Sequence, residues 1–154
     1  MNLRSKSGFT IPELLIALLI VGLLGALAIY AINVQRATTR DAKRISDVSV
    51  MRAALSQYWL QQATYPLSEG VYLGQPGQNA ERLAGDGLGS LDDVTQPIYL
   101  DAFPTGPNSN EYYGYRATEN GYSLLFKTER VTAYGPAGIY YAHSTGVDRL
   151  DETK

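Results

Sequence analysis

The opening MNLRSKSGFTIPELLIALLIVGLLGALAIYAI constrains this chain more than any other stretch. A short basic segment meets nineteen uncharged residues, 14–32. As a helix rising about 1.5 Å per residue, that run spans ~28 Å, one hydrocarbon core. A secretory signal usually has an apolar core of only ~7–15 residues. An Ala-x-Ala at residues 26–28 keeps signal-peptidase cleavage as a rival reading, and a plain membrane anchor explains the length by itself. Neither explains Glu13, at the start of the run. An unpaired carboxylate in hydrocarbon costs at least ~2.5 kcal/mol, so Glu13 calls for a partner.

The residues around Glu13 carry a family resemblance. SGFTIPELLIALLIVG resembles the processing site and helix start of type IV pilins and type II secretion pseudopilins. The resemblance implies a prepilin peptidase that cuts after Gly8 and methylates the new amine of Phe9. It makes Glu13 the fifth residue of the mature chain and pairs it with the Phe9 amine of a neighbouring subunit. The physics agrees, because a buried charge is tolerable when paired, and this pairing exists only after correct docking. Pro12 departs from the commoner aliphatic residue of the family. It falls among the first helical N–H positions, which have no intrahelical partner, so its missing N–H costs nothing. We expect Pro12 to stop the helix from running back into the leader, to hold Ile11 extended, and so to keep the Gly8-Phe9 bond accessible. Equal processing of a Pro12→Leu variant would overturn that expectation. Gly22 and Ala26 form a small-xxx-small pair suited to close helix approach. Where the family often has a helix-breaking proline, this chain has Tyr30.

The helical pattern continues past the membrane run. Val34, Ala37, Ala42, Ile45, Val48, Met51, Leu55 and Tyr58 recur at mostly three- and four-residue steps, which predicts one apolar face. Arg36, Arg40 and Arg44 share a stripe on the polar face. Tyr65-Pro66 ends the segment. One helix from Phe9 to about Ala63 would run ~80 Å. About ninety remaining residues cannot cover that length, so the N-terminal half belongs in membrane or in a bundle of its copies.

Charge divides along the same line. Residues 33–65 carry five basic and two acidic side chains, whereas residues 66–154 carry six basic and twelve acidic ones. Such a molecule can pack acidic head against basic stem of a copy, or Arg36, Arg40 and Arg44 can meet lipid headgroups. The acidic head repels phosphate, so nucleic acid is left only a local patch or a filament groove.

In the head, residues 67–97 read as a loop rich in Gly, Gln, Asp and Ser. It has a short strand at residues 71–73 and a helical turn near residues 79–84. EYYGYRAT, the turn ENG and YSLLFKTE predict an antiparallel hairpin, and GIYYAHS a third strand. VDRLDETK reads as an exposed polar tail. Twelve tyrosines against three phenylalanines suit a small sheet with a half-wet face. No cysteine is present, so packing and hydrogen bonds, with Tyr140 and Tyr141 as candidates, must hold the C-terminal region that some relatives staple.

Candidate chemistry is sparse. His143, the single histidine, reads as a surface residue, and its neighbour Ser144 would face the other side of a strand. Asp92, Asp93 and Asp101 are weak calcium candidates, since some pseudopilins bind calcium in a comparable loop, but EF-hand spacing is absent. No catalytic residue and no required cofactor is expected.

The resulting expectation is an α+β chain. A long N-terminal helix, hydrophobic then amphipathic, packs on a small C-terminal antiparallel sheet. Its parts are a cleaved leader (1–8), a transmembrane or filament-core half (9–32), an amphipathic half (33–65) and a globular head (66–154). The resemblance implies a non-enzymatic pilus subunit serving adhesion, motility or DNA uptake, with a secretion pseudopilin as the alternative. Its partners would be copies of itself, the prepilin peptidase, an inner-membrane assembly platform, minor pilins and, before assembly, membrane lipid. The head would lie outside the cytoplasm, and assembly would carry the subunit into an extracellular pilus or a periplasmic pseudopilus. A reading of another class is a monomeric anchored or secreted binding protein in which Glu13 is incidental.

Overall fold

Helix α1 spans Ile11–Gln62 in the computed structural model, which describes residues 8–154. The expected leader, apart from Gly8, lies outside the described residues. The chain divides after Arg36 into two compact units.

In the first unit, α1 is apolar on every side. Its large side chains from Leu14 to Ile32 are between 49% and 69% exposed. It is the one helix among the described residues long and apolar enough to cross a membrane.

The second unit wraps the later part of α1 with a five-stranded antiparallel sheet in the order β1-β4-β5-β6-β7. The strands are β1 (Ser68–Leu73), β4 (Tyr113–Ala117), β5 (Tyr122–Thr128), β6 (Gly138–Ala142) and β7 (Val147–Asp148). Strands β2 (Arg82–Ala84) and β3 (Gly87–Gly89) form a separate hairpin. Alternation decides the faces. Tyr113, Tyr115, Tyr122, Leu124, Phe126 and Tyr140 point inward to Val48, Met51, Leu55 and Tyr58 of α1. Register keeps inner residues opposite inner ones, as in Tyr115 with Leu124 and Phe126 with Tyr140. Each large side chain so buried contributes roughly 1.5–3 kcal/mol. The tyrosine hydroxyls are satisfied as well. Tyr113 donates to Asp47 at 2.7 Å, Tyr115 to the Pro66 carbonyl at 3.0 Å, and Tyr140 to the Pro136 carbonyl at 2.6 Å.

Four expectations need correction. The segment near residues 79–84 is no helical turn. It enters the β2–β3 hairpin, where a Cβ on Gly85 would stand 2.5 Å from the Gln96 carbonyl oxygen, so only glycine allows that approach. VDRLDETK is no free tail. It supplies β7, Lys154 pairs with Asp148 at 2.8 Å, and a Cβ on Gly121 would meet the Lys154 backbone nitrogen at 2.7 Å. His143 is fully buried, its ring nitrogens 3.0 Å from the Tyr122 carbonyl oxygen and 3.2 Å from Asp148. The apolar face holds from Val48 to Tyr58, but nearer the start of the head α1 buries Asp41, Arg44 and Asp47, while Ala42 is exposed.

α1 ends where Ala63 turns into the left-handed region (φ 55) and donates its N–H to the Trp59 carbonyl at 2.8 Å. A Cβ is strained there. Ala63→Gly should therefore raise stability by up to ~1 kcal/mol, read as a higher urea midpoint.

Candidate processing and assembly segment

Gly8, Phe9 and Thr10 precede the helix, and Phe9 is 90% exposed. Thr10 is the N-cap. Its carbonyl accepts the first helical bond from Leu14 at 3.1 Å. Glu13, three residues on, turns back so that Oε2 accepts both the Thr10 backbone N–H and the Thr10 hydroxyl, each at 2.8 Å. The cap explains why α1 starts at Ile11 rather than Phe9. The carboxylate satisfies the Thr10 N–H, which is the glutamate half of a capping box. The signal was present in the sequence as Thr-x-x-Glu before an apolar run, though the charge of Glu13 draws attention first.

Pro12 is the second helical residue. The helix stops short of Gly8, the residue four before it, so no carbonyl clash arises. Ile11 is helical, however, not extended as expected. The exposed stretch before the helix comes from the cap rather than from a bias on Ile11. Gly22 stands in open space, with nothing within 4 Å of a Cβ placed there.

The three stem arginines do not form one surface stripe. Arg36 is exposed and makes no hydrogen bond or ion pair among the described residues. Arg40 pairs with Glu129. Arg44 is 0% exposed and sits at the centre of a charge clasp. Its Nη2 donates to Glu111 at 3.0 Å, and its Nη1 to Asp41 and to Glu129 at 2.8 Å each. Nε completes a forked pair with Glu111. Asp41 in turn accepts the backbone N–H groups of Glu129 and Arg130 at 2.8–3.0 Å. Burial works against the Arg44 charge, but the three carboxylates outweigh it and raise its pKa. Hydrogen bonds from Arg40, then Arg44, pull Glu129 down to about 2. Glu111 is also lowered, since the bonds from Arg44 and Asn108 overcome its burial. Arg44 is therefore unavailable to lipid or to a second copy. Glu111 and Glu129, from distant loops, are the site residues that sequence reading missed.

Two of the three calcium candidates, Asp93 and Asp101, are engaged by other groups. Arg82 donates to the Asp93 carbonyl and pairs with the Asp101 carboxylate at 2.6 Å. Asp93 Oδ1 accepts the Thr95 N–H at 2.8 Å, and Asp92 is exposed. As arranged, these residues form no oxygen cage, and no group of three or more metal-binding side chains occurs among the described residues.

Residues 3–29 match the prokaryotic N-terminal methylation motif. The chain is similar to the type II secretion system core protein G of Aeromonas hydrophila, 30% identical over 69 residues. The match covers 45% of this chain and 48% of that protein, so it spans about half the length of each. No solved structure matches.

Proposed function

We infer that this chain belongs to the prepilin and pseudopilin family and is a structural subunit of a membrane-assembled filament, a reading supported by the methylation motif at residues 3–29 and the similarity to core protein G. In this reading the prepilin peptidase cuts after Gly8 and methylates Phe9, and copies polymerise through α1. The observation that carries it is the state of Glu13. One carboxylate oxygen holds Thr10, and Oε1 accepts nothing among the described residues, at the mouth of an uncovered apolar helix. Oε1 is free for the ammonium of a neighbouring Phe9, so the carboxylate that caps its own helix also reads the register of the next. Until assembly, lipid covers the helix and the inner membrane holds the subunit. An assembly platform and minor subunits would then receive it.

Two destinations compete. One is the pseudopilus of a type II secretion system, the machine that core protein G is named for. A surface pilus for adhesion, motility or DNA uptake is the other, and long surface filaments in electron micrographs would select it.

The test is intact mass and N-terminal sequence of the protein from its native cells. The expected chain starts at Phe9 and is one methyl group heavier than the bare sequence. Glu13→Ala should be cut normally and yet leave the sedimentable polymer. A start at Ile29, or an uncut chain, would replace the polymer with ordinary secretion or a plain anchor.

A further inference from the structure

Where α1 ends, the head carries an open cleft of about 570 Å³. Tyr58, Pro66 and Leu88 form its apolar wall and Asn120 a polar edge, while Asp86 and Glu119 line it with carboxylates. No lysine, arginine or histidine lines it among the described residues. The last turn of α1 holds no basic residue. A helix C-terminus presents about half a negative charge from its unpaired carbonyls, which adds to the two acids rather than offsetting them. Asp86 accepts only a long bond, 3.3 Å, from the Thr95 hydroxyl. The Glu119 carboxylate makes no hydrogen bond or ion pair among the described residues. Its backbone carbonyl, by contrast, accepts the Tyr65 N–H at 3.3 Å.

The stem holds the complementary group. Its other cations are occupied, Arg40 and Arg44 in the clasp and Lys43 with Asp47 at 2.6 Å. Arg52 lies half-buried beside Tyr122. Arg36 remains, exposed and unpaired among the described residues.

We propose that the acidic cleft at the α1 exit receives Arg36 of a second copy of this chain. This rests on the polymer reading above. The pairing requires parallel copies offset by about 40 Å, the rise of α1 from residue 36 to residue 62. A guanidinium suits the cleft. It can fork onto a carboxylate such as Asp86 or Glu119, both exposed at the cleft. Such a contact adds a second register mark to that of Glu13 and rejects wrong offsets.

The test is charge exchange, read as the fraction of subunit in sedimentable polymer from cells. Arg36→Glu should lower that fraction by roughly tenfold, because three like charges then meet in the cleft. Adding Asp86→Lys and Glu119→Lys to the same chain should restore it. Wild-type polymer that ignores Arg36→Glu, or a loss that the exchange does not restore, overturns the pairing and leaves the polymer reading intact. A wild-type chain that forms no polymer sinks that reading, and the pairing with it. Should the triple variant fail to fold, the native absence of cysteine supplies a second route. Polymer carrying Arg36→Cys with Glu119→Cys, treated with a short bis-maleimide, should give a ladder of crosslinked subunits that neither single variant gives. Absence of that ladder overturns the pairing.

Discussion

Arg44→Met should cost the folded head about 3–5 kcal/mol. Methionine keeps most of the aliphatic stem, so lost packing is a minor part. The loss comes from Asp41, Glu111 and Glu129, left facing one another where a buried guanidinium had held all three. The single tryptophan, Trp59, packs 6.4 Å from Tyr65 and reports unfolding by fluorescence. Urea titration of the full chain in detergent would measure the loss. Neutralising the acids in the same background, with Asp41→Asn, Glu111→Gln and Glu129→Gln, should recover part of it, since a fully uncharged site leaves no orphaned ion. A loss under about 1 kcal/mol for Arg44→Met would mean that the carboxylates reach water and that the clasp is a surface network.

Acid should take the same clasp apart. Glu129 is held at about 2, against an ordinary 4.5, by Arg40 and Arg44, and Glu111 is shifted the same way. A carboxylate whose folded pKa lies below its unfolded one contributes stability that is complete above the unfolded value. That contribution is lost as pH falls toward the folded value. Melting temperature should therefore stay level from neutral pH to about 5 and then fall steadily toward 2. Asp148, also lowered to about 2 by Lys154, pulls in the same direction but is partly exposed and screened by water, so it adds little. Glu129→Gln should start with a lower melting temperature at neutral pH and lose less on acidification. A melting curve as steep as that of the unaltered protein would assign the acid sensitivity elsewhere.

The sequence was most legible where local pattern and tertiary structure agree. Strands β4, β5 and β6 stand where alternating tyrosines and apolar residues put them. The helix ends within a few residues of Tyr65-Pro66 because no later stretch keeps a helical period. Glu13 stands out in the sequence by its charge, and the structure shows it bonded to Thr10. The hairpin at Arg82–Ala84 and Gly87–Gly89 was missed because three-residue strands are too short to show a period. Its register rests on Gly85 lying against Gln96, a contact made by a distant residue. Arg44 was misplaced for a similar reason. Arginines four residues apart on a helix look like a solvated face. Only partners 67 and 85 residues away, Glu111 and Glu129, turn one of them inward.

Those same partners fix how the head responds to a pull. A filament subunit would be loaded along its helix, and within the head α1 is tied sideways to two loops and to strand β4. Arg40 and Arg44 hold Glu111 and Glu129, and Asp47 holds Tyr113. Tension along the axis strains these ties together, as shear, rather than one after another as in a peeled strand. Forced unfolding follows the unfolding rate rather than the equilibrium stability. In the proposed filament the charge clasp would then serve as a mechanical anchor, with a value measured in force at least as much as in kilocalories.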